Sequence, residues 1–294
     1  MRRFRLKMAQ QLGEKTAQDH GFDSLPIDPF KIASDEDILV EAKQPEKDGM
    51  SGCIVFNDDG VGIIYSTTIQ NSGFQNFTVA HELGHYFIDG HPEEILKTGP
   101  MHVSRGGFSQ GDCSIEIEAD HFAAGLLMPT HLVKNKLLGS IVGLDAIKSL
   151  SALSNSSLTA AAIRAAECAP YPMAIIVSAG QNIRYAFMSD SFKNLGRLRF
   201  LRKGDALPIS ETSSFNRDND RVLAGESACA ESTLSVWFEG SAHTTLDEEI
   251  VGLESYGLTL TVLSSEEIIE DPYEDENEDE KLVDSWTPKF AYGR

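Results

Sequence analysis

Five consecutive residues, His81-Glu82-Leu83-Gly84-His85, restrict what this chain can become more than any other stretch. Side chains four apart lie on one face of a helix, so a helix here aims both imidazoles at one locus. Glu82 sits one position around, within reach of a water held at that locus. H-E-x-x-H is the pattern of zinc hydrolases, in which the histidines ligate and the glutamate is the general base. Apolar residues at 77, 79, 80, 83, 87 and 88 predict a helix with one buried face, stopped by Asp89-Gly90. The plainer alternative is a core helix whose histidines only satisfy local hydrogen bonds; the pentapeptide on a well-formed helix weighs against it.

A catalytic zinc takes three protein ligands and leaves one position open. Apolar residues at 115, 119, 122, 123, 126 and 127 predict a second amphipathic helix, closed by Pro129, and it carries three acids. Glu116 and Asp120 are four apart and share a face. Glu118 lies about 160° away, beside His121 and Gly125, on the side expected to be wetter. Glu116 is therefore the expected third ligand, with Asp120 accepting an imidazole N–H from His81 or His85 and so fixing its tautomer. Glu118 remains the alternative ligand, and His121 a further ligand or proton donor. All three acids are also compatible with solvated charge at a helix start.

The two helices, F-T-V-A-H-E-L-G-H and E-x-E-A-D-x-F-A-A-x-L-L-M-P, resemble those of the ImmA/IrrE family of zinc metallopeptidases. Residues 52–56 and 61–65 resemble the strand pair that precedes the H-E-x-x-H helix in that family, and the likeness runs from about residue 25 to 168. It implies a zinc endopeptidase with Zn2+ on His81, His85 and Glu116 and with Glu82 as base. It also implies a cytoplasmic protein acting on one target, a DNA-binding repressor of the helix-turn-helix class, in a mobile-element or stress response. Family members often carry an arginine just before the Phe-Thr; here Gln75-Asn76 stands there, which points to a different target.

The chain has 294 residues, enough for two domains with a core each. No apolar run is long enough to span a bilayer, and the basic start, residues 1–7, lacks the apolar stretch of a secretory signal. The four cysteines, Cys53, Cys113, Cys168 and Cys229, form no C-x-x-C pair and read as reduced and structural. A net charge of -20 argues against wrapping nucleic acid. Ten acids fall within residues 266–280, which reads as a solvated acidic tail able to meet a basic partner. Residues 193–203 form a local basic patch, either solvated or paired with that tail.

The expected architecture is α+β. An N-terminal zincin-like peptidase domain (residues 1–168) packs a small β-sheet on the H-E-x-x-H and E-x-x-A-D helices and adds a helical pair at 144–167. A mixed α/β domain at 169–265 senses a ligand or docks a partner, and an acidic tail covers 266–294. Within the first domain we expect a helix over 3–20 stopped by Gly21, with Phe4, Met8, Gln11, Leu12 and Lys15 on one side. A short helical segment follows Leu25, then strands at 38–42, 52–57 and 61–66, the last two joined by an Asn57–Gly60 hairpin turn. Residues 90–113 read as a loop, with His102 a minor candidate for proton donation. The pair at 144–167 imitates a helix-turn-helix, yet its second helix carries one arginine, so a packing role is favoured over base reading. Strands are expected at 173–178, 182–188, 233–238 and 258–263.

Two rivals accompany the peptidase reading. One is a regulatory protein that grips a transcription regulator through a zinc-shaped surface without cutting it. The other is a closed structural zinc site, with His121 or Cys113 as fourth ligand.

Overall fold

A computed structural model describes residues 2–44, 49–105, 114–138, 142–196, 198–239, 244–254 and 257–265. Cys113, Arg197 and the acidic run at 266–280 lie outside the described residues. The chain is a mixed α/β protein of two compact units, one holding residues up to Val133 together with Leu150–Ala161, the other holding Lys134–Ser149 and the chain from Ala162 onward.

In the first unit, α1 (Arg2–Asp19) packs on α5 (Ser114–Leu127). Two glycines let the backbones meet: a Cβ on Gly13 would stand 2.2 Å from the Phe122 carbonyl oxygen, and one on Gly125 would stand 2.1 Å from that of Gln10. The buried face of α1 runs through Leu6, Ala9, Gly13 and Ala17, whereas Phe4 and Met8 face outward. Asp28 caps α2 (Pro29–Asp35) by accepting from the amides of Phe30 and Lys31, and proline at the first helical position suits its fixed φ.

Four strands follow: β1 (Leu39–Lys43), β2 (Met50–Asn57), β3 (Gly60–Ser66) and, later, β4 (Met101–Arg105), in the order β1-β3-β2-β4. β2 and β3 form the expected hairpin with Asn57 opposite Gly60, whose φ of 139° favours glycine. β1 joins β3 in parallel, and β4 joins β2 antiparallel. Helix α3 (Ser72–Phe87) starts at Asn71, whose side chain accepts from the Phe74 amide. It buries Val79, Ala80 and Leu83 in one core with Ile54, Ile63, Phe122 and Leu126. The spacing of those residues in α3 and α5 is the 3.6-residue period on which the helices were expected.

Residues 90–113 are not the featureless loop the sequence suggested: they supply α4 (His91–Leu96) and β4 before the described segment ends. The reason is an inverted alternation. In β4, Met101 and Val103 are exposed, while His102 is half-buried and Ser104 is buried, so polarity runs against the usual strand pattern. Glu118 also departs from expectation. It is 2 % exposed, because α1 covers that side of α5.

Helices α6 (Thr130–Leu138), α7 (Leu144–Ser154) and α8 (Leu158–Cys168) come next; the last two are the expected pair. The single arginine of α8, Arg164, is buried and ion-paired to Glu167 at 2.5 Å, so α8 presents no basic side chain for base reading.

The second unit is built on an antiparallel sheet of β5 (Met173–Ala179), β6 (Asn182–Met188), β7 (Ser227–Thr233), β8 (Thr245–Gly252) and β9 (Thr259–Ser264), ordered β6-β5-β9-β8-β7. The strand expected at 233–238 is instead a helix over Leu234–Phe238. Its buried residues, Leu234, Trp237 and Phe238, fall at i, i+3 and i+4, a helical spacing hidden by β-favouring residue types. β8 escaped notice because of its three acids. One of them, Glu248, is buried and accepts from the Thr212 amide, the Thr212 hydroxyl and Trp237 Nε1 at 2.6, 2.7 and 3.3 Å. Among the described residues, no helix is long and apolar enough to cross a membrane.

Candidate metal centre

Helix α3 carries His81 and His85 one turn apart, and α5 lies against it closely enough that a Cβ on Gly84 would touch the Ala119 backbone at 3.0 Å. This contact brings Glu116 to both imidazoles. His81 Nε2 is 3.5 Å from Glu116 Oε2, His85 Nε2 is 3.3 Å from Glu116 Oε1, and the two Nε2 atoms are 3.2 Å apart. Ligand atoms of His81, His85 and Glu116 all lie within 4.8 Å of one another. Asp120, one turn on from Glu116, accepts from His81 Nδ1 at 2.9 Å, which aims Nε2 at the cluster.

The donor set suits a divalent ion of the zinc type: two imidazoles and one carboxylate converge, with their other polar atoms engaged elsewhere. The electrostatics agree. Burial works against a proton on His81, but its bonds to Asp120 and Glu116 outweigh burial and hold the pKa well above the ordinary value of 6.5. His85 is pushed down to about 3, first by burial and then by the neighbouring His81 charge, against the pull of Glu116. Burial alone would raise Glu116, yet hydrogen bonds from His102, His81 and His85 keep its carboxyl far below the usual range. Glu116 thus holds a negative charge among the three histidines.

Glu82 differs from every other acid here. It is 0 % exposed, and neither carboxylate oxygen has a hydrogen-bond partner among the described residues. Burial, the largest influence, pushes its pKa up to about 7, partly offset by His81 and by the nearby Ser104 hydroxyl. Room for the carboxylate comes from Gly52 on β2: a Cβ there would lie 2.5 Å from Glu82 Oε1 and 2.6 Å from Thr78 Cγ2. An unpaired buried carboxylate is costly, and such groups concentrate where chemistry uses them.

Two histidines that the sequence presented as loop bystanders also reach the cluster. His102, on β4, lies 2.5 Å from Glu116 Oε1 through Nε2, with its ring 4.7 Å from that of His85. His91, at the start of α4, meets His85 Nδ1 through its own Nδ1 at 3.2 Å. Glu118 is not in the group of converging ligand atoms; it takes part in a separate ion pair with Arg5 at 2.9 Å. His121 is not in that group either, and Cys113 lies outside the described residues.

On this α/β scaffold, His81, His85 and Glu116 form a group that could hold a metal ion, with Glu82 buried beside it. Residues 46–165 match the family model of the IrrE N-terminal-like domain, peptidase M78, which supports placing that stretch in the ImmA/IrrE family. No curated protein matches the chain. Among solved structures, a Mycobacterium tuberculosis transcriptional regulator is similar over 87% of this chain and 76% of that one, with a TM-score of 0.53 and 13% identity, a likeness of fold.

Proposed function

We propose that this protein is a zinc-dependent endopeptidase that cleaves one specific protein, a DNA-binding repressor of the helix-turn-helix class. In this reading His81, His85 and Glu116 hold Zn2+, Asp120 orients His81, and Glu82 is the base. A divalent ion so held polarises a carbonyl and makes water more acidic. The observation that carries the reading is Glu82 itself, buried and unpartnered one residue from His81, with a pKa of about 7. A carboxylate with that affinity can take a proton from attacking water near neutrality and return it to the leaving amine.

Substrate alignment follows from β4, which ends its sheet among the described strands and carries His102. An extended segment of a target protein adding to that edge would run past the cluster. The family likeness supports a peptidase, and the structural neighbour's printed description, a transcriptional regulator, fits a role in gene control. We assign residues 1–168 to the peptidase domain, 169–265 to sensing or docking, and 266–294 to an acidic tail that meets a basic partner, all in the cytoplasm.

The test is co-incubation of the purified protein and zinc with a helix-turn-helix protein encoded beside it. Wild type should yield defined fragments, and Glu82→Gln should bind zinc as well while cleaving at least ~100-fold more slowly, the scale of a lost general base. Equal cleavage by Glu82→Gln removes Glu82 from the chemistry. A stable complex with zinc but no fragments replaces the peptidase by a non-proteolytic regulator.

A further inference from the structure

We infer that His91, held by Glu118 and Arg5, is a positioning residue for His85, deciding which nitrogen of that ring is offered to the metal. The inference rests on His81, His85 and Glu116 being a metal centre. His81 and His85 are oriented by different means. His81 Nδ1 meets a carboxylate directly, at Asp120. His85 Nδ1 meets another imidazole, and the carboxylate lies one step further away: His85 Nδ1 is 3.2 Å from His91 Nδ1, and His91 Nε2 is 3.4 Å from Glu118 Oε2.

With both imidazoles neutral, as His85 must be to ligate a metal, one arrangement of protons satisfies this chain. Glu118 Oε2 accepts from Arg5 Nε at 3.2 Å and from Arg5 Nη2 at 2.9 Å. An ionised carboxylate accepts only, so His91 Nε2 must donate to it. A neutral imidazole has one donor and one acceptor, so His91 Nδ1 then accepts and His85 Nδ1 donates. With an ion between them, that leaves the Nε2 lone pair of His85 for the metal, in place of the hydrogen bond that Nε2 otherwise gives Glu116 at 3.3 Å. The opposite tautomers set two N–H groups or two lone pairs against each other. His85 and His91 are both fully buried, so no solvent relieves a mismatch.

The backbone builds the relay. Ile88 ends α3, and Gly90 takes φ of 88°, the left-handed region that glycine enters without strain. The turn folds the chain back so that His91, six residues after His85, lies against its ring, with centroids 5.2 Å apart. Arg5 comes from α1, so the N-terminal helix is tied through three side chains to a metal ligand.

Zinc affinity of the full-length protein, read by competition with a chromophoric chelator, tests this without reference to activity. Thermal unfolding of the metal-free forms reports structure separately. His91→Phe should weaken zinc binding about 10–100-fold, the range for losing an orienting partner of a ligand. His91→Gln should recover most of that loss, because a carboxamide accepts at one atom and donates at the other. Wild-type affinity in His91→Phe overturns the relay, as does a His91→Gln variant no better than His91→Phe. If His91→Phe does not fold, Glu118→Ala decides: weakened zinc binding in a folded protein supports the relay, and unchanged binding overturns it. Should wild type itself bind no zinc, the metal centre falls and the relay with it, an outcome distinct from failure of the variants alone.

Discussion

Glu82 is set apart from the other described acids by complete burial beside His81. Its pKa of about 7 stands above the ordinary value of 4.5. Between those two values the folded metal-free protein keeps a proton that the unfolded chain has released. Stability contributed by this group is therefore fully present below about pH 4.5 and is lost as pH rises through about 7. Glu82→Gln removes the ionisation, so the metal-free variant should gain on wild type across that window, by on the order of 3 kcal/mol. Urea unfolding at both ends of the window, with chelator present, measures the difference; a constant difference rejects the burial argument. The convergence of His81 and His85, with Glu82 beside them, was legible in the sequence because one helical turn fixes their spacing. His91 was not, because its approach to His85 depends on a left-handed turn at Gly90 rather than on helical period.

Elements show the same division between local and distant causes. Helices α3 and α5 announced themselves by periodicity, and the β2–β3 hairpin by its turn residues. The wetness of the Glu118 side was misjudged because Arg5 and Glu118 stand 113 residues apart, and no local pattern reports that α1 covers α5. β4 was missed because its polarity is reversed. The α1–α5 contact itself depends on small residues. Gly13→Ala would put a methyl 2.2 Å from a backbone carbonyl that cannot swing away. We expect it to destabilise the first unit by about 1–3 kcal/mol, the usual cost of overpacking, and to reduce hydrogen-exchange protection in α1 and α5 together. Unaltered protection in both helices would show that the α1–α5 contact does not depend on Gly13.

At the scale of the whole molecule, the converging ligands lie in one compact unit, and the second unit has a hydrophobic core of its own. Zinc at about a hundred times its dissociation constant should stabilise the unit that binds it by ~2.7 kcal/mol. In calorimetry the metal should therefore raise one unfolding transition and leave the other in place. A single transition that shifts as a whole would show that the two units unfold together.

Strand β4 carries a consequence of its own. Successive strand residues look in opposite directions, so replacements at Met101 and Val103 need not disturb His102 or Ser104 behind them. A lineage can thus rewrite what this ribbon offers outward while the side that meets the His-His-Glu cluster stays the same.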